Sequence, residues 1–254
     1  MAPRPLRRRT KLSDVIVEDV KRLIVAERLK PGDRVPREPE LIERYGCSKG
    51  TVREALKALE VEGLIVTRTG PGGGAYLTDA GSEPAVRMLR NFLHFRHIDG
   101  AGVYQIRKVV EPELAASVVG LLSEERFSAL EENVVVCSRH PENEEEQYRQ
   151  RVLELEFHNI LADACPNPLL AFIGRFLNEM LRDLVELKQA YKPERRQFGE
   201  ANVDYHRRLL LAYRVQDATQ VRALMLSHMR DAERHMTALE GEVANSFLLG
   251  FPRT

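Results

Sequence analysis

Residues 47–64 read CSKGTVREALKALEVEGL and run straight into IVTRTGPGGGAYLT at 65–78. Val52, Ala55, Leu56 and Leu59 fall at i, i+3, i+4 and i+7, which gathers apolar side chains on one face of a helix. Lys49, Arg53 and Lys57 recur every fourth residue and line a different side, so a cationic stripe faces solvent. Ser48 stands just before the helix, where its hydroxyl can accept from an orphan N–H of the first turn. Such a helix start also favours phosphate, through its free N–H groups and its dipole. Beyond the helix, 64–67 and 75–78 read as strands around Arg68, Thr69 and the glycines Gly72, Gly73 and Gly74. A glycine tip lets backbone approach a groove closely. Basic helix and hairpin together have the shape of a winged helix-turn-helix, which sets one helix in the DNA major groove. Taken alone, the helix is equally a surface helix with three solvated cations, and the tip equally a plain turn.

Upstream, Ile16, Val20, Leu23 and Ile24 form another apolar stripe, ended by LKPGDRVP around Pro31 and Gly32. A short helix over 38–44 follows, and Tyr45-Gly46-Cys47 turns tightly into the basic helix. The run LKPGDRVPREPELIERYGCSKGTVREALKALEVEGLI resembles the GntR-family winged helix, whose usual pattern is close to LxPGxxLPSERELAxxxGVSRxTVRxALxxLxxxGLI. The resemblance covers essentially all of residues 1–78. The DNA contacts expected are Arg37, Ser48, Lys49, Thr51, Arg53, Arg68 and Gly73, of which Arg53 matches a family contact position. Two departures stand out. Arg37-Glu38-Pro39-Glu40 replaces the usual Ser-Glu-Arg-Glu, removing the serine cap and the DNA-contacting arginine. Pro39 suits a first helical turn, Glu38 is left as a weaker cap, and Arg37 offers its charge from a shifted position. Lys49 stands where arginine is common, and lysine lacks the fork that reads guanine.

The chain has 254 residues and no net charge, but its charge is unevenly placed. Residues 1–80 hold 16 Lys+Arg against 12 Asp+Glu, and residues 81–254 hold 22 against 26. A basic head on an acidic body fits a DNA reader joined to a second module. Residues 1–78 are expected to form the head, 79–84 a linker, 85–240 the body and 241–254 a tail. PRPLRRRTK near the start reads as a solvated tail or a phosphate-contacting arm. Phe247, Leu248, Leu249 and Phe251 in the tail are apolar enough to dock on the body or a partner. The pattern holds no signal-peptide core or long apolar run, and Cys47, Cys137 and Cys165 lack metal-like spacing, so a cytoplasmic protein without membrane contact is expected.

The body reads as helix after helix, over 85–97, 101–121, 123–138, 144–164, 168–191, 195–213 and 217–240. The fold class expected is mainly α: a winged helix-turn-helix followed by an antiparallel bundle of six to seven helices. Asn167 and Asp217 read as helix caps, and Cys165 as structural. Among seven histidines, His158 stands at i+4 from Glu154, while His206 and His228 lie on the two last long helices. One carboxylate and three imidazoles can hold a divalent ion, although Glu and His at this spacing are usually plain surface neighbours.

VYQIRKVVEPELAA, ELEFHNIL, ACPNPLL, DYHRRLLLA and VRALMLSHM resemble, in order, segments of the FCD ligand-binding domain of the FadR subfamily. That resemblance implies a metal at Glu154, His158, His206 and His228, with Glu154 in place of the usual aspartate; zinc is the first expectation, then manganese or nickel. It also places Arg107 at a ligand-facing position, where a guanidinium can grip a carboxylate; a helical salt bridge to Glu111 is its structural alternative. The function expected is a dimeric, ligand-responsive transcription regulator, a repressor, that binds a palindromic operator in double-stranded DNA and senses a small organic acid. The competing expectation is a metal-dependent hydrolytic enzyme with a basic docking head, against which no HExxH, nucleophile elbow or phosphate loop is present. A third keeps the regulator and lets the histidines bind the effector without metal.

Overall fold

The computed structural model describes residues 10–79, 81–96, 98–188 and 195–239. Most of the basic N-terminal run, the ends expected for three body helices at 97, 189–191 and 240, and the apolar tail lie outside the described residues. The chain divides into two compact units, Met1–Leu89 and Arg90–Thr254.

The first unit contains α1 (Leu12–Ala26), α2 (Glu38–Tyr45), α3 (Lys49–Val61), β1 (Ile65–Arg68) and β2 (Gly74–Leu77). Ile16 and Val20 of α1, Leu41 of α2, and Val52, Ala55 and Leu59 of α3 meet in one apolar core with Ile65 and Leu77 of the hairpin. The register is antiparallel, with Ile65 opposite Leu77 and Arg68 opposite Gly74, and an added bridge joins Arg34 to Tyr76. Ser48 caps α3 as its position suggests, accepting from the Thr51 N–H at 3.2 Å. Glu38 is not the cap of α2. Arg37 occupies that position, and the Glu40 carboxylate reaches back one turn to accept the Arg37 N–H at 3.0 Å. Gly46, at φ 56°, ends α2 in the left-handed region and makes the tight turn into α3.

α4 (Glu83–His94) begins inside the stretch read as a linker, with Pro84 in its first turn, where no backbone donor is needed. The second unit holds α5 (Gly100–Ser117), α6 (Glu124–Cys137), α7 (Glu144–Ala164), α8 (Pro168–Lys188), α9 (Arg195–Arg214) and α10 (Ala218–Leu239). α5 is its central element and packs against α10, α8 and α7. Its buried face includes Arg107 and Glu111 among apolar residues, an arrangement that requires each charge to find a partner. The helix ends four residues before its expected limit, in a turn where Gly120 takes φ 77°. Asn167 caps α8 and Asp217 caps α10, accepting from Leu170 N–H and Gln220 N–H. Cys165 lies against the Ser117 hydroxyl at 3.4 Å, a packing role.

Candidate functional site

The cationic stripe of α3 lies on the surface, and one carboxylate organises it. Glu38, at the start of α2, meets Lys49 at 3.3 Å and Arg53 at 3.2 Å, while both cations stay more than half exposed. Partial burial pushes the Glu38 carboxyl up, but the two cations outweigh this and hold it below its ordinary value. Lys57 turns to Glu60 at 2.8 Å, and Glu60 also accepts from the Thr67 N–H, tying α3 to the wing. Ser48 and Thr51 share a hydroxyl contact of 3.0 Å at the helix start. In the wing, Arg34 donates to the Gly73 carbonyl, and the Arg68 guanidinium sits 4.9 Å from the centre of the Tyr76 ring. Tyr76 in turn donates to the Gly72 carbonyl, so the glycine tip is held by side chains at its base. Arg37 is exposed beside α2. Ser48, Lys49, Thr51 and Arg53 therefore share one helix start, whereas Arg68 and Gly73 belong to the hairpin.

In the second unit, α7, α9 and α10 bring His158, His206 and His228 together, with ligand atoms all within 4.8 Å of one another. The three rings are buried, at 3%, 1% and 3% exposure. Phe157 stacks on His206 at 3.9 Å between ring centres and fixes its plane. His158 Nδ1 lies 3.1 Å from Glu111 Oε2, so the other ring nitrogen is the one free to bind. Neither ring nitrogen of His206, nor Nδ1 of His228, has a hydrogen-bond partner. An unpaired buried polar atom costs about 1–3 kcal/mol, so three in one cluster point to an ion or ligand. Burial pushes the pKa of all three rings down, furthest for His206 and His228, which favours the neutral imidazole that a metal requires. The donor set fits a divalent ion.

The same cavity is lined by Arg107, Arg151, Glu154 and Asn202. Arg107 is 1% exposed and grips Glu111 Oε1 through Nε at 3.1 Å and Nη2 at 2.9 Å; Nη2 also donates to Asn178 at 3.0 Å. Burial alone would raise the Glu111 carboxyl, but His158 and Arg107 outweigh it and hold the group well below the usual carboxylate range. Arg107 thus makes the salt bridge open to it by spacing and still faces the cavity. Glu154 lines the cavity without joining the histidine cluster, for its oxygens are engaged by Arg151 and Asn202. Sequence reasoning met Glu111 only as a partner for Arg107 and passed over Arg151, Asn178 and Asn202. Arg151 stands three residues before Glu154, a signal that was present; the asparagines pair across 71 and 48 residues and left none.

These features define a class: a winged helix-turn-helix head followed by an all-helical body with a buried three-histidine cavity. Residues 12–74 match the family described as bacterial regulatory proteins, gntR family, and residues 102–231 match the FCD domain. The chain belongs to the GntR family of transcriptional regulators that carry an FCD domain. It is 26% identical to the HTH-type transcriptional regulator LutR of Bacillus subtilis (strain 168), over 81% of this chain and 92% of that one. It is 24% identical to the HTH-type transcriptional repressor NanR of Salmonella newport (strain SL254), over 93% of this chain and 89% of that one. Streptococcus agalactiae GntR shares the fold, with a TM-score of 0.56 at 20% identity over 88% of this chain and all of that one. The protein is a transcriptional regulator and not an enzyme, and neither the family nor these relatives support the hydrolytic alternative. Among the described residues no helix is long and apolar enough to cross a membrane.

Proposed function

We propose that this regulator is a dimeric repressor, acting in the cytoplasm, that releases a palindromic operator when a small organic acid enters the three-histidine cavity. In this reading residues 1–78 read DNA and residues 85–240 sense the effector. Ser48, Lys49, Thr51 and Arg53 meet phosphate and base edges in the major groove, Arg68 and Gly73 follow with the wing, and Arg37 contacts the backbone. A two-fold dimer asks for a two-fold operator. The observation that carries the sensing half is the set of unpaired buried nitrogens on His206 and His228 beside Arg107. A divalent ion, zinc first, would rest on these histidines and supply a doubly charged anchor for the oxygen atoms of an acid. Arg107 then fixes the acid's orientation, while Glu111 holds Arg107 and His158 in place together.

Such a ligand acts on DNA binding only through different affinities for the two states of the regulator. The test is to select DNA fragments with the full chain, then measure their affinity by fluorescence anisotropy with zinc and a panel of small mono- and dicarboxylates. Two-fold symmetric selected sites, and at least one acid that weakens binding about fivefold or more, are expected. Affinity indifferent to every acid, in protein shown to carry metal, would overturn the sensing half.

A further inference from the structure

We propose that Glu154 is not a metal ligand in this protein: three histidines alone hold the ion, and Glu154 is the fixed counter-ion of Arg151. The inference rests on the reading of the cavity as a metal site. It departs from the four-ligand set that the family resemblance implies.

Glu154 has one neighbour a turn before it on α7, Arg151, and one a turn after it, His158. Its carboxylate is committed to the first. Arg151 Nη1 reaches Oε1 at 3.1 Å and Oε2 at 2.9 Å, and Asn202 Nδ2 from α9 donates to Oε2 at 2.8 Å. Both side chains are packed, Arg151 at 14% and Glu154 at 9% exposure. Turning Glu154 towards the histidines would strip a poorly hydrated guanidinium of this carboxylate and take the acceptor from the Asn202 amide. Glu154 reaches back three residues along α7 to Arg151. The extra methylene of glutamate lengthens that reach, where the aspartate usual in the family is shorter. The histidine nitrogens, by contrast, lie within 4.8 Å of one another, and several have no protein partner. They are the groups that the fold leaves open to an ion.

An ion on three neutral histidines keeps a position open and carries its full charge into the cavity. The two arginines that line the cavity each have a carboxylate partner, Arg107 in Glu111 and Arg151 in Glu154. Neutralising the ion therefore falls to the effector.

The full-length chain, stripped with chelator, would be titrated with Zn²⁺ against a chromophoric competitor and with Co²⁺ by its visible spectrum. Glu154→Gln is expected to bind Zn²⁺ within about threefold of the wild type, with an unchanged Co²⁺ band, an effect below even that of an outer-shell partner. His206→Ala, the control, should lose binding. Circular dichroism checks folding; should Glu154→Gln fail to fold, Glu154→Gln with Arg151→Met removes both charges together and is read the same way. A loss of about tenfold or more in the folded variant overturns the proposal and leaves the metal cavity standing; a smaller one upholds it. A wild-type chain that takes neither ion overturns both.

Discussion

α3 and α7 each carry functional side chains one turn apart, and they keep them in opposite surroundings. On α3, Lys49 and Arg53 are 61% and 64% exposed and share a single carboxylate from α2. On α7, Arg151, Glu154 and His158 are nearly enclosed; Arg151 and Glu154 pair along the helix, and α5 and α9 supply further partners in Glu111 and Asn202. The exposed row is held only by its own helix and one partly exposed carboxylate, and should lose a charge without disturbing the fold. The buried row is positioned by packing, so each charge there is also a structural part. Function and stability should separate in the first unit and be entangled in the second.

The largest effect expected is from Glu111→Leu. It leaves Arg107 without its carboxylate in a site of 1% exposure, and unfolding free energy measured in urea should fall by about 3–5 kcal/mol. A fall below about 1 kcal/mol would break the contrast, by showing that the buried network carries little stability. Arg53→Ala comes next. Operator binding should weaken by about 1–3 kcal/mol, while unfolding moves by no more than about 0.5 kcal/mol. The smallest effects sharpen the comparison. Ser48→Ala removes the α3 cap and Tyr213→Phe removes a buried bond of 3.0 Å to the Ala115 carbonyl, each a loss of about 1 kcal/mol. In a calorimetric scan each should shift the melting of its own unit; a shared shift would show the units melting as one.

The first unit was legible because its determinants are local. Val52, Ala55 and Leu59 are all at 0% exposure, as their spacing requires, and the hairpin forms around the glycine run. The helical body followed from periodicity and turn signals, and family resemblance singled out three histidines, from three helices, as ligands; spacing alone left them open to other roles. What escaped was the choice among partners. Arg151 and His158 are both one turn from Glu154, and the decision for Arg151 involves Asn202, 48 residues away. The α2 cap escaped for a related reason, since Glu40 accepts the N–H of the cap residue Arg37, where a cap serine would accept an N–H inside the first turn.

Glu38 has a thermodynamic consequence for how salt governs DNA binding. In the proposed reading Lys49 and Arg53 meet DNA with an anion between them, so the trio presents one net positive charge instead of two. Affinity gained through counterion release scales with the cationic charge that replaces condensed ions on DNA. Added salt also loosens the grip of Glu38 on its two partners, partly offsetting the weakening at the phosphates. The logarithm of affinity against that of salt concentration should therefore fall less steeply than a count of basic side chains suggests. Glu38→Gln should steepen it by about one unit.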